Sequence, residues 1–175
     1  MSTDPSTLFR CGVLTLSDRG ARGEREDTSG PELQDMLRAT GFAVLNYGVI
    51  ADEQQLIEEA LIEWADVLQL DLIVTTGGTG VSPRDCTPEA TRNIIDREVP
   101  GLAEAMRLAS FAATPQAVWS RGIAGIRGTC LIINVPGSTK AARENLAAVL
   151  PALAHGLEKI KGSQKDCAAG SAPVA

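Results

Sequence analysis

The chain has 175 residues, a net charge of −6 and only 3% aromatic residues. It is the size of one ordinary domain, able to bury roughly 70% of its unfolded surface without a disulfide or metal staple. Its acidity and few aromatics argue against a general DNA or RNA binder. The opening residues MSTDPSTLFR lack a charged segment followed by an apolar core, and no apolar run reaches membrane-spanning length. A soluble cytoplasmic protein with no membrane partner is expected.

Residues 1–7 read as a flexible N-terminus ahead of one domain over 8–161. Residues 8–16 (LFRCGVLTL) form a β-rich run that ends in the polar turn Ser17-Asp18-Arg19-Gly20, followed by a charged surface loop over 20–28. Ser29 with Glu32 makes a capping box, Pro31 sits in the first turn, and Gly41 ends that helix. Residues 42–50 read as a second strand. Asp52 with Gln55 opens the next helix, whose face carries Leu56, Ala60, Leu61, Trp64, Ala65 and Leu68.

Residues 71–75 (DLIVT) look like a central parallel strand, and Thr87-Pro88 caps a helix after the loop TGGTGVSPRDC. Pro100-Gly101 breaks that helix, and another follows over 102–112. The stretch 113–128 is expected to hold one short strand near Ala117–Trp119. Residues 129–135 are a buried strand, and Gly137-Ser138 leads into a helix to about Leu150 that Pro151 kinks or restarts. Residues 162–175 carry no packing pattern and read as a flexible tail.

Strands alternating with helices imply a three-layer α/β/α fold with a mainly parallel central sheet. Ligands in such sheets bind beyond the carboxyl ends of the strands. Each strand here is followed by a polar or glycine-rich segment: 17–20, 51–53, 76–85 and 136–138. Several of these should share one rim.

The segment Thr76-Gly77-Gly78-Thr79-Gly80 permits close backbone approach and a nest of N–H groups for phosphate oxygens, against the plainer alternative of a tight turn. It is neither GxGxxG nor a P-loop. Arg84 could meet a phosphate and Asp85 could hold Mg²⁺, or the two could be a solvated pair beside the helix cap. Asp52 has an alternative as an N-cap, and Asp18 as an Asx turn. Asp27 could simply belong to the surface loop. Gly137-Ser138 at a helix start is a natural anion site or an ordinary cap. Ser120, Arg121, Arg127 and Lys140 could offset phosphate charge or be surface groups. A lone histidine, His155, rules out a multi-histidine zinc site within one chain and is better read as structural. Cys11, Cys86, Cys130 and Cys167 lie far apart, as thiols in a reducing compartment do.

In this order the segments GVLTLSDRG, EDTSG, VIADEQQLIEEAL, LIVTTGGTGVSPRDCTPEAT, REVPGLAEAMR, SRGIAGIRGTCLIINVPGS and ENLAAVLPALAHGLEKIKG resemble the Mog-type molybdopterin adenylyltransferases, which include the G domain of gephyrin. The resemblance spans about residues 8–162, and its last helix looks closer to the gephyrin and Mog branch than to the shorter MoaB paralogue. It implies transfer of AMP from Mg-ATP to the molybdopterin phosphate with release of pyrophosphate. It also implies a homotrimer and hand-over to a molybdenum-insertion enzyme.

By the same resemblance Asp52 and Asp85 match the two critical aspartates, as catalytic and Mg²⁺-holding groups. Gly77, Gly78, Thr79 and Gly80 match the phosphate loop, and Ser17 and Asp18 the first loop. Ser120, Arg121, Pro136, Gly137 and Ser138 match the pterin side. Cys86 departs from the pattern, since relatives commonly carry an aliphatic residue there. The competing reading is a MoaB-like carrier that binds molybdopterin or finished cofactor without catalysis. A molybdate-insertion protein would need additional domains.

Overall fold

The alternation of apolar runs and helical patterns resolves into a central six-stranded sheet in a computed structural model that describes residues 9–163. The elements in order are β1 (Arg10–Leu16), α1 (Asp18–Ala21), α2 (Ser29–Ala39), β2 (Ala43–Ile50), α3 (Gln54–Ile62), β3 (Leu72–Thr76), α4 (Thr87–Ile94), β4 (Arg97–Glu98), α5 (Pro100–Ala113), β5 (Ala124–Arg127), β6 (Cys130–Val135) and α6 (Thr139–Ile160). The sheet order is β2-β1-β3-β6-β5-β4. The first four of these strands are parallel, β5 runs antiparallel to β6, and β4 pairs antiparallel with β5 and so returns to the common direction. The residues expected at 1–7 and from 164 onward lie outside the described part. Gly162 and Ser163, read as the start of the tail, instead close α6 through N–H bonds to Lys159 O and Glu158 O at 3.0 and 2.9 Å.

Side-chain alternation along the buried strands builds the three layers. Cys11 and Val13, Leu72 and Val74, and Leu131, Ile133 and Val135 face one core with α2, α5 and α6. Leu14 and Leu16, Ile73, and Cys130 and Ile132 face the other with α3 and α4. A strand covered on both faces has no polar side, so its sequence reads as a continuous apolar run. The chain steps from β1 out to β2, then crosses to β3 on the other side of β1. That reversal opens the crevice at the carboxyl ends where such sheets bind ligands.

Several local expectations are corrected. The Ala117–Trp119 segment is not a strand but part of a 3₁₀ turn, Pro115–Trp119, with Trp119 exposed and no sheet neighbour. The strand of that region is β5, which buries Ala124 and Ile126 against β6. Pro100 starts α5 rather than breaking a helix, because α4 has already ended at Ile94 and a proline lacks no needed bond in a first turn. The helix α6 runs unbroken through Pro151. Ser17-Asp18-Arg19-Gly20 is not only a polar turn: Ser17 caps the single-turn α1, its Oγ accepting from Gly20 N–H at 3.0 Å.

Of the expected face of α3, Leu61 and Trp64 are buried and Ala60, Ala65 and Leu68 pack against the same core, whereas Leu56 is exposed and Ile57 is buried instead. A wide π turn at Glu63–Val67 follows, and Trp64 lies so close over Gly12 that a Cβ there would sit 2.9 Å from the indole.

Candidate active site at the carboxyl rim

All four segments that follow the parallel strands meet on one rim, as a parallel sheet requires. Its first cavity, of about 300 Å³, is polar and is lined by Ser17, Asp27, Asp52, Thr76, Gly77 and Gly78 among others. A second cavity of about 480 Å³ lies beside it, lined by Thr79, Gly80, Ser110, Trp119, Ser120 and Pro136 among others, with more apolar surface. Gly78, Asp85, Gly137 and Ser138 line both, so they form a common wall.

The glycine loop is held by backbone geometry that only glycine tolerates. Gly77 has φ +103° and Gly78 φ +62°. A Cβ on Gly77 would lie 2.3 Å from Leu16 O, and one on Gly78 would lie 2.3 Å from Thr87 Oγ1. The Thr87 hydroxyl does not cap α4. It donates to Gly77 O at 2.9 Å, while the Thr87 N–H donates to Gly78 O at 3.2 Å. Thr76 Oγ1 donates to Pro136 O at 2.8 Å and ties the loop to the turn before α6. Ser138 caps α6 and presents the N-terminus of a 22-residue helix to both cavities.

Asp52 is not an N-cap. The helix α3 begins two residues later and makes no side-chain cap bond. The Asp52 carboxylate instead accepts the Asp18 N–H at 2.9 Å through Oδ2, and the Asp52 N–H donates back to Asp18 Oδ1 at 3.1 Å. Desolvation, reinforced by the charges of Asp18 and Asp85, pushes the Asp52 carboxyl above its ordinary range. Asp85 Oδ2 accepts the Ser82 N–H at 2.8 Å. Oδ1 of both Asp52 and Asp85 has no hydrogen-bond partner among the described residues.

Asp18 leans away from the cavity to Arg84, whose Nε and Nη2 donate to it at 3.1 and 2.9 Å. The Arg84 hydrogen bonds hold Asp18 below the usual carboxylate range. Arg84 also donates to Glu53 Oε1 at 2.8 Å and lines neither cavity. Arg121, too, lines neither cavity. Arg127 is bound to Asp66 at the opposite end of the sheet, Lys140 lies 4.0 Å from Glu144, and His155 is exposed on α6. The Cys86 thiol points to Asp52 O at 3.7 Å, and burial raises its pKa, which makes it a poor nucleophile.

Asp27 is the residue whose role the sequence reading understated. Its Oδ1 accepts from Ser29 N–H, Ser29 Oγ and Gly30 N–H at 3.0, 3.0 and 3.1 Å, so Asp27 supplies the cap that a Ser29–Glu32 box was expected to supply. Its Oδ2 accepts from Thr15 Oγ1 at 2.6 Å and from the Tyr47 hydroxyl at 2.7 Å. Burial opposes ionisation here, but these donors outweigh it and hold the carboxyl below its ordinary value. The available signal was the acidic residue two positions before the expected cap. Arg107, Ser110 and Asn145 in the second cavity had no such signal.

The fold and rim coincide with a known family. Residues 12–155 match the family model described as a probable molybdopterin binding domain. The chain belongs to this family. It is 46% identical over 154 residues to the molybdopterin adenylyltransferase of Helicobacter pylori strain J99, covering 87% of this chain and 88% of that one. It is 40% identical over 156 residues to the molybdopterin adenylyltransferase of Escherichia coli K12, covering 85% and 80%. The crystal structure of the molybdopterin biosynthesis enzyme MoaB from Thermus thermophilus superposes with a TM-score of 0.85 at 54% identity, covering 89% of this chain and 98% of that one. The three-layer, mostly parallel fold expected from the sequence is thus shared with solved members of the family.

Family membership also raises the question of a metal. Among the described residues no cluster of three or more metal-ligating side chains exists, so an all-protein cage is absent. Mg²⁺ does not need one, since it binds through one or two carboxylates plus substrate phosphates. Asp52 and Asp85 line the same cavity, each with one oxygen uncommitted, and they fit that requirement.

Proposed function

We propose that the chain is a molybdopterin adenylyltransferase. An oxygen of the molybdopterin phosphate attacks the α-phosphorus of ATP, the bond from that phosphorus to the bridging oxygen breaks, and pyrophosphate leaves. The observation that carries the reading is the pair of unlike cavities sharing one wall. Two substrates must meet at one phosphorus, and Gly78, Asp85, Gly137 and Ser138 stand where two neighbouring ligands would touch.

Such a reaction needs alignment and charge stabilisation more than a covalent intermediate. The loop Gly78–Gly80 and the N-terminus of α6 offer backbone donors to phosphate oxygens, while the Gly77 N–H is held by Val135 O at 3.2 Å. The second cavity, with Trp119 at its edge, suits a flat ring system. Asp52 and Asp85 would hold Mg²⁺, which when bound neutralises polyphosphate charge beside carboxylates that would otherwise repel it. Without a cation, Asp27, Asp52 and Asp85 around one cavity disfavour a bound triphosphate. The same reading, through the resemblance, takes the protein as a cytoplasmic homotrimer that passes its product to a molybdenum-insertion enzyme.

The test is mass spectrometry of the pterin after incubation with protein, ATP and Mg²⁺, with an EDTA control. A metal-dependent gain of one AMP with release of pyrophosphate is expected. Molybdopterin that stays bound but unmodified would make the chain a carrier and overturn the transferase reading.

A further inference from the structure

In sequence, Arg121 reads as a group that could offset phosphate charge or lie on the surface, and the resemblance matches it to the pterin side. Its three guanidinium nitrogens point elsewhere. Nε donates to Gly80 O at 2.6 Å, Nη2 donates to Asp85 O at 2.7 Å, and Nη1 pairs with Glu89 Oε1. Its backbone N–H donates to Thr79 O at 2.8 Å. Thr79, Gly80 and Asp85 stand at the two ends of the loop whose tip, residues 81–84, is exposed. Glu89 comes from the first turn of α4 and Arg121 from the segment that enters β5. The loop and α4 therefore converge on one guanidinium carried by a third piece of chain.

Apart from Arg121, the side chain that ties the loop to other elements is Arg84 at its tip, half-exposed and paired with Asp18 and Glu53. Within the loop, Ser82 N–H donates to Asp85 Oδ2 and Asp85 N–H donates to Ser82 O at 2.9 Å, which makes a local turn but does not anchor it. Asp85 is packed closely enough that a Cβ on Gly80 would sit 2.9 Å from its Oδ2. A planar fork can satisfy several fixed acceptors at once, which an ammonium on a flexible stem cannot. The carboxylate of Glu89 orients that fork. Burial opposes ionisation of Glu89, but the Arg121 hydrogen bond and charge outweigh it and hold the carboxyl below its ordinary range.

We propose that Glu89 and Arg121 form a clamp that fixes the loop 79–85 and so aims the Asp85 carboxylate. Arg121 is a positioning residue, not a phosphate ligand. The catalytic consequence rests on the adenylyltransferase reading, whereas the clamp itself does not.

The experiment compares wild type, Arg121→Lys and Glu89→Gln by amide hydrogen exchange without ligands and by steady-state adenylylation. In Arg121→Lys, exchange at Ser82 and Asp85 should rise about tenfold while the strands stay protected. The same variant should lose about thirtyfold in kcat, with KM for ATP and for molybdopterin each within about twofold of wild type. Glu89→Gln keeps an acceptor for Arg121 but loses the charge, and should change in the same direction by about threefold. It carries the test if Arg121→Lys does not fold. Unchanged loop exchange, or a rise in KM for one substrate alone, would overturn the clamp. If wild type shows no adenylylation, the functional reading fails, and the exchange data still decide the clamp.

Discussion

The two ends of the sheet are both rich in charge and both hollow, yet they differ in kind. At the amino end a cavity of about 520 Å³ is lined by Arg10, Asp66, Asp71, Arg127 and Lys161. Each carboxylate there has a cation: Lys161 lies 2.5 Å from Asp71 Oδ1, and Arg127 meets Asp66 through two nitrogens at 3.0 and 2.5 Å. The backbone N–H of Arg10 takes the other oxygen of Asp71 at 2.8 Å. At the carboxyl end the cavity is smaller, but Asp52 and Asp85 share it with no comparable partner for either Oδ1. Size and charge density therefore do not mark the site. What marks it is unsatisfied charge held in place by satisfied backbone.

The two ends should respond most differently to substitution at Asp85 and Asp71. Asp85→Asn should lower the adenylylation rate by at least about a hundredfold with no change in melting temperature, measured by single-turnover product formation and thermal denaturation. Activity near wild type would remove Asp85 from the mechanism. Asp71→Ala at the other end should do the reverse. It leaves the Arg10 N–H without its partner and should cost about 2 kcal/mol of stability, read by urea unfolding, while kcat stays unchanged.

A smaller effect sharpens the contrast within the rim itself, because Asp27 is a fully engaged carboxylate beside two that are not. Its folded pKa is depressed below the ordinary 3.8, so the stability it contributes is present above that value and is lost as pH falls through the lower folded pKa. Tyr47, whose hydroxyl is pushed up to about 12 by burial and by its bond to Asp27, is one of the donors responsible. Tyr47→Phe should cost under about 1 kcal/mol at neutral pH and should move the acid unfolding midpoint upward in a pH titration by circular dichroism. The smallest effect is expected at Arg84, half-exposed and bonded only to Asp18 and Glu53. Arg84→Met should leave the melting temperature within experimental scatter, as exposed ion pairs usually do.

The rim was legible because a parallel sheet forces the ends of β1, β2, β3 and β6 together, and each end carried polar or glycine-rich residues. The roles of individual side chains were less so. Asp52, Thr87 and Asp27 all sit where local rules read a helix cap or a surface loop. Tertiary contacts decide otherwise: Asp52 bonds across 34 residues to Asp18, and Thr87 reaches back to Gly77. Arg121 reads in sequence as a phosphate-offsetting or surface group because nothing local shows three carbonyl-and-carboxylate partners arriving from other segments. The antiparallel edge was harder still. Here β4 is two residues long, and β5 has four residues preceded by an exposed 3₁₀ turn, too short for any periodicity to show.

The most direct test of the central claim is a crystal structure of the protein with Mg²⁺ and a non-hydrolysable ATP analogue. The α-phosphate is expected against the common wall of Gly78, Asp85, Gly137 and Ser138, with the cation bound through Asp52 or Asp85. A nucleotide seated at the amino-end cavity, or one whose phosphates stay clear of Asp85, would contradict that claim.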